Sequence, residues 1–161
     1  MGKNLAILIG VSQYDHEAAL PPCEKDLQMV TEIVKNAAKY DDYIVIGISP
    51  RSNEAKTRIV SFIKKHQDQE IEELFLYFTG HGTRLAGDFH FVFSDFDQRK
   101  IGETSLSNRE MDSLLKSASP RLTVKFVDAC FAGSEYIKSA DSLEEILKKS
   151  ASSNFQKAYF F

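Results

Sequence analysis

Short apolar runs alternate along this chain with segments of helical period, and that alternation restricts its fold more than any other feature. Leu5 to Ile9 is an unbroken apolar run closed by Gly10. Over 24–38, Leu27, Val30, Ile33, Val34 and Ala37 fall on one helical face. Tyr43 to Ile48 is a second β-rich run. Over 53–66, Ala55, Ile59, Phe62 and Ile63 share a face, and Asn53 is the expected N-cap. Leu74 to Phe78 is a third strand. Phe89, Phe91 and Phe93 alternate with His90 and Val92, the period of a strand with two unlike faces, and read as core rather than as a binding platform. Ser107 and Glu110 form a capping box, with Leu106 and Met111 as its hydrophobic staple. A helix of about three turns follows, with Leu114 and Leu115 inward. Leu122 to Val127 is a further strand, interrupted only by Thr123 and Lys125. The order β-α-β-α-β-β-α-β predicts an α/β sandwich with a mostly parallel sheet.

Composition narrows the function classes. The chain has 161 residues, about one domain, and is 43% hydrophobic and 27% charged, enough for a core. Twenty Lys and Arg against 23 Asp and Glu give a net charge of −3, which argues against a dedicated nucleic-acid binder. Two Cys exclude a secreted disulfide framework. No apolar run approaches the ~20 residues of a membrane span, and the first ten residues lack the pattern of a signal peptide. The expectation is a soluble protein of a reducing, cytoplasmic compartment. Gly80-x-Gly82 lacks the third glycine of a dinucleotide fingerprint, and no phosphate loop follows a strand. Gly10-Val11-Ser12-Gln13-Tyr14 lacks the Gly or Ser/Thr density of a flavodoxin-like phosphate site. No Cys or His cluster supports zinc. No cofactor is expected. His16, His66 and His90 have no evident partner and read as structural or exposed, and Cys23 reads as a packing residue near the start of the first helix.

Reactive groups gather at two strand ends. Leu74 to Phe78 runs into Thr79-Gly80-His81-Gly82, and Leu122 to Val127 runs into Asp128-Ala129-Cys130-Phe131-Ala132-Gly133. In open parallel sheets, ligands sit outside the carboxyl ends of the strands. If these two strands are parallel neighbours, His81 and Cys130 face each other at one edge, each in a glycine-containing turn. The thiolate is the nucleophile, and a nearby imidazole takes its proton and then protonates the leaving amine. The backbone N–H groups of Gly82 and Cys130 are candidate oxyanion donors, each worth ~3–4 kcal/mol in the transition state. The two residues lie 49 positions apart. A caspase-type His precedes its Cys by about 50.

Three stretches, Leu5-Ala6-Ile7-Leu8-Ile9-Gly10-Val11, Leu76-Tyr77-Phe78-Thr79-Gly80-His81-Gly82 and Val127-Asp128-Ala129-Cys130-Phe131-Ala132-Gly133, resemble the caspase–metacaspase superfamily of cysteine endopeptidases. The likeness covers about residues 4–134 and leans toward metacaspases and bacterial caspase-like proteins. Animal caspases have Gln two places before the Cys, where this chain has Asp128. The resemblance implies a three-layer caspase-like sandwich. It also implies an S1 pocket that takes Arg or Lys, lined by Asp128, by Asp26 early in the first helix, and by Thr79. Many metacaspases bind calcium through Asp carboxylates. The positions matching one such pair are Asn108 and Arg109, and Arg109 would repel a cation. Asp88, Asp95 and Asp97 remain, too scattered for the six to eight oxygens calcium needs, so no calcium requirement is expected.

The resemblance also organises the tail. It implies a catalytic core over 1–133 and a linker over 134–154 that is cut to separate a large from a small subunit. That linker carries six Ser. Ser142 with Glu145 predicts a short helix near 143–149. Lys138, Lys148 and Lys149 are candidate processing sites for a basic P1, and Asp141 or Glu145 for an acidic one. Residues 155–161 begin another strand, so the chain reads as a fragment or processed subunit. A small-subunit half would complete the sheet. Protein or peptide substrates and a regulatory protein are the implied partners, without nucleic acid or membrane. Bacterial relatives suggest cell death or antiphage defence as the setting. A non-catalytic signalling scaffold on the same fold is the alternative, and labelling of Cys130 separates the two.

Overall fold

The computed structural model describes residues 2–131 and 158–160, with side chains over 2–129. Its elements are β1 (Lys3–Val11), α1 (Pro21–Asn36), β2 (Asp42–Ile48), α2 (Ser52–Lys65), β3 (Ile71–Leu85), β4 (Asp88–Val92), a 3₁₀ turn (Gln98–Lys100), α3 (Ile101–Thr104), β5 (Ser105–Ser107), α4 (Asn108–Ser117), β6 (Leu122–Phe131) and β7 (Ala158–Phe160). The predicted linker over 134–154, its short helix and its lysines lie outside the described residues.

Five strands form a parallel array in the order β2-β1-β3-β6-β7. β4 is antiparallel to β3, and β5 antiparallel to β4. Gly82 pairs with both Phe91 of β4 and Phe131 of β6, so β4 and β6 occupy opposite edges of β3. β4 therefore continues the edge that β1 leaves at Gly10↔Thr79. The β3–β4 hairpin turns at Ala86 and Gly87, both at positive φ (51° and 80°), as a two-residue type I′ turn requires.

Helices cover both faces. On one, α1 packs Leu27 and Val34 against Ala6, Leu8 and Tyr77. On the other, α2 and α4 bring Ile59, Phe62, Met111 and Leu115 onto Leu5, Ile7, Leu76, Phe78, Phe89 and Phe91. The result is a three-layer α/β sandwich with a mostly parallel sheet, as the sequence predicts. α1 sits close to the sheet because Gly10 has no side chain. A Cβ there would stand 2.8 Å from the Cβ of Leu27. Gly10→Ala is expected to destabilise the fold by about 1–3 kcal/mol through overpacking, read as a lower urea midpoint at unchanged slope.

Several local expectations change. Ile33 is not part of the buried face of α1 but 59% exposed, whereas Cys23, Leu27 and Val34 are buried and the half-buried Val30 packs beside them. α1 starts at Pro21 rather than 24, since prolines suit a first turn. Asn53 does not cap α2. The N-cap position is Arg51, which makes no side-chain cap, and the carboxylate of Asp95 accepts the Ser52 N–H at 2.8 Å instead. The Ser107–Glu110 capping box is present, and Leu106 and Met111 beside it are both buried. β3 does not end at Phe78 but continues through His81 to Leu85. Lys125 is fully buried in β6. Its ammonium donates to Asp112 Oδ1 at 2.7 Å and to the side-chain oxygen of Asn108, both on α4.

Candidate active site

Parallel pairing of β3 and β6 brings the predicted residues into register. Thr79 is opposite Asp128, and His81 is opposite Cys130. The two reactive positions thus sit side by side at the carboxyl end of the sheet. They lie inside paired strands, which corrects the expectation of two glycine-containing turns. Strand geometry fixes them more firmly than turns would. β3 also borders the switch point, because the chain leaves β1 for β2 on one side and returns to β3 on the other.

The loop after β1 closes over His81. His81 Nε2 lies 2.9 Å from the carbonyl oxygen of Ala18. A carbonyl only accepts, so Nε2 carries the proton, and in the neutral ring Nδ1 keeps its lone pair. Nδ1 is buried and has no hydrogen-bond partner among the described residues. The backbone N–H of His81 donates to the hydroxyl of Tyr14 at 2.9 Å, and that hydroxyl donates to the Val11 carbonyl at 3.0 Å. The Tyr14 and His81 rings lie 4.7 Å apart between centroids. Burial pushes the Tyr14 phenol up, against the His81 hydrogen bond and with help from Cys23 and Glu17. The hydroxyl therefore stays protonated and can donate throughout the working pH range. Gly82 makes room for Phe89, whose Cε2 would stand 2.4 Å from a Cβ there.

A second cluster lies on the α1 side of the sheet. The Tyr77 phenol is pushed up to about 12, first by burial and then by the carboxylates of Asp26 and Asp128, against a hydrogen bond with Thr79. Asp26 on α1 and Asp128 on β6 are thus both near enough for their charges to act on the Tyr77 hydroxyl. Thr79 is buried, Asp26 part-exposed and Asp128 exposed.

The carboxylates considered for calcium have protein partners. Asp88 accepts the N–H groups of Phe89 and Arg109, Asp95 accepts from Ser52, and Asp97 binds Arg99. The Asn108 side-chain oxygen accepts from Lys125. Among the described residues, no three His, Cys, Asp or Glu group as a metal site would require. His66 bonds Asp42 and Gln69, His90 bonds Ser105, and His16 is exposed. No described helix is long and apolar enough to cross a membrane.

A family model, the caspase domain of the C14 peptidases, matches residues 3–158. The chain belongs to the caspase-domain family. No curated protein matches it at a significant level. The family is one of cysteine peptidases, hydrolases that act on protein substrates. Sequence reading missed Tyr14, Tyr77 and the Ala18 carbonyl. Tyr14, four residues past Gly10, carried a signal, since an aromatic there overhangs the end of the neighbouring strand. The Ala18 carbonyl is backbone and carried none.

Proposed function

We propose that this caspase-domain chain is a cysteine endopeptidase in which Cys130 is the nucleophile and His81 its proton carrier. The observation that carries the reading is the His81↔Cys130 register pair, together with an imidazole whose Nδ1 has no partner among the described residues and whose Nε2 is held by Ala18. Nδ1 takes the thiol proton, and the thiolate attacks the scissile carbonyl. The N–H groups of Gly82 and Cys130 bind the oxyanion. The C–N bond then breaks as the imidazolium returns its proton to the leaving amine, leaving an acyl-thioester. Water attacks the thioester with Nδ1 as base, and the acid product leaves as the thiol is restored.

Asp128 and Asp26 bind a basic P1 side chain, with Thr79 shaping the pocket. The influence of both carboxylates on Tyr77 supports this, because two negative groups in one neighbourhood favour Arg or Lys and repel Asp. Calcium is not required. The ammonium of Lys125 already engages Asn108, at a position where metacaspases place a calcium carboxylate. Cleavage within 134–154, at Lys138, Lys148 or Lys149, and docking of a small-subunit half regulate the enzyme, as does an upstream activator.

The test is turnover of fluorogenic peptides with Arg, Lys or Asp at P1, with and without calcium. Arg and Lys peptides are expected to be cut and the Asp peptide spared. Asp128→Asn should lower kcat/KM for Arg peptides by about 30-fold or more, the loss of one charge partner of the P1 side chain. Faster cleavage after Asp, or a large gain with millimolar calcium, contradicts the reading.

A further inference from the structure

We infer that Tyr14 is the positioning residue of the His81 imidazole, an inference that rests on the cysteine-peptidase reading above. The argument starts from a gap in the sheet. β1 pairs with β3 only as far as Gly10↔Thr79, and β4 takes up the same edge at Gly82↔Phe91. Between these pairs, residues 80 and 81 of β3 face no strand on that edge, their other edge being paired with β6. A buried N–H without a partner is costly, so the His81 amide needs an acceptor there. The Tyr14 hydroxyl supplies it, accepting from His81 N–H and donating to the last carbonyl of β1, that of Val11. One side-chain oxygen thus replaces the missing rung and ties the end of β1 to the backbone of the proposed base.

The same residue controls the ring. Tyr14 lies 4.7 Å from the imidazole centroid to centroid, so the ring has a wall on one side and the Ala18 carbonyl at Nε2. Gly80 is required by the arrangement, because a Cβ at that position would stand 2.9 Å from the Tyr14 oxygen. The loop bearing Tyr14 and Ala18 is itself anchored by Ser12 N–H to the Ile48 carbonyl and by Asp15 N–H to the Ser94 carbonyl. Tyr14 therefore couples loop, strand and imidazole. It keeps Nε2–H on Ala18 and leaves Nδ1 for the thiol.

The test uses Tyr14→Phe, which keeps the ring and removes the hydroxyl, and Tyr14→Leu, which removes both. The first readout is the tautomer of His81 from ¹⁵N imidazole shifts. The wild-type chain should show the Nε2–H form, and Tyr14→Phe a mixture of the two neutral forms. The second is the rate of Cys130 alkylation by iodoacetamide across pH 5–9. Tyr14→Phe should slow it about tenfold near neutrality, with a greater loss in Tyr14→Leu, while the melting temperature of Tyr14→Phe falls by no more than about 10 °C, the cost of one unpaired buried N–H. An unchanged tautomer and rate in Tyr14→Phe overturns the inference, and so does loss of the fold in both variants, which would make Tyr14 structural. Failure of the wild-type chain to alkylate at Cys130 counts instead against the peptidase reading, and the tautomer still decides the role of Tyr14.

Discussion

Replacing His81 with alanine is expected to lower kcat/KM for a basic-P1 peptide by about 10³-fold or more. The imidazole has two tasks, and the variant loses both. A thiol with an ordinary pKa of about 8.5 is only a few per cent thiolate at pH 7, so the nucleophile becomes scarce. The leaving amine must also depart without a positioned acid, a step for which general acid–base help is typically worth about 10²–10⁴-fold. The losses overlap because the residues act as a unit, so the effect is less than their product. The alkylation profile of Cys130 separates the tasks. In His81→Ala it should follow one ordinary thiol titration, whereas the wild-type chain should react at lower pH. A variant that kept wild-type turnover would remove His81 from the mechanism.

Asp112→Ala is expected to cost about 3–5 kcal/mol of folding stability, the second largest effect. Lys125 and Asp112 are both fully buried between β6 and α4, 2.7 Å apart from ammonium to carboxylate. Burial pushes the Lys125 ammonium down and the charge of Asp112 opposes that shift. Removing the carboxylate leaves a cation in the core beside the neutral side chain of Asn108, with the charge of Asp88 acting on it less strongly than that of Asp112. Replacing both members with apolar residues of similar volume, Lys125→Met with Asp112→Leu, should restore most of the stability. An ion pair buried this deeply returns little net energy over well-packed hydrophobic side chains. Urea unfolding of the two single variants and the double gives the coupling. Additive losses would show that the pair does not act as one.

The order of elements along the chain and the meeting of His81 with Cys130 were legible because both rest on local pattern. Apolar runs of five or six residues mark parallel strands, and reactive residues just beyond two such runs come together once the strands pair. What escaped depends on contacts between distant segments. Asp95 caps α2 from 43 positions away, and Tyr14 bonds His81 across 67. β5 is three residues long, too short for any period to show. Lys125 reads as a polar break in an apolar strand, whereas packing of α4 turns it into a buried ion pair. Ile33 fits the helical stripe of α1, but α1 covers β1 and β2 more than β6, and Ile33 stays 59% exposed among the described residues. Phe126 of β6, an apolar strand residue, is likewise 43% exposed.

The most direct test of the account is the turnover of an Arg-P1 fluorogenic peptide by this chain and by Cys130→Ala, with a thiol-reactive covalent probe run in parallel. The account predicts turnover and labelling at Cys130 in the wild-type chain, both abolished in Cys130→Ala. Turnover that survives Cys130→Ala, or a wild-type chain that neither turns over peptide nor labels at Cys130, would contradict it.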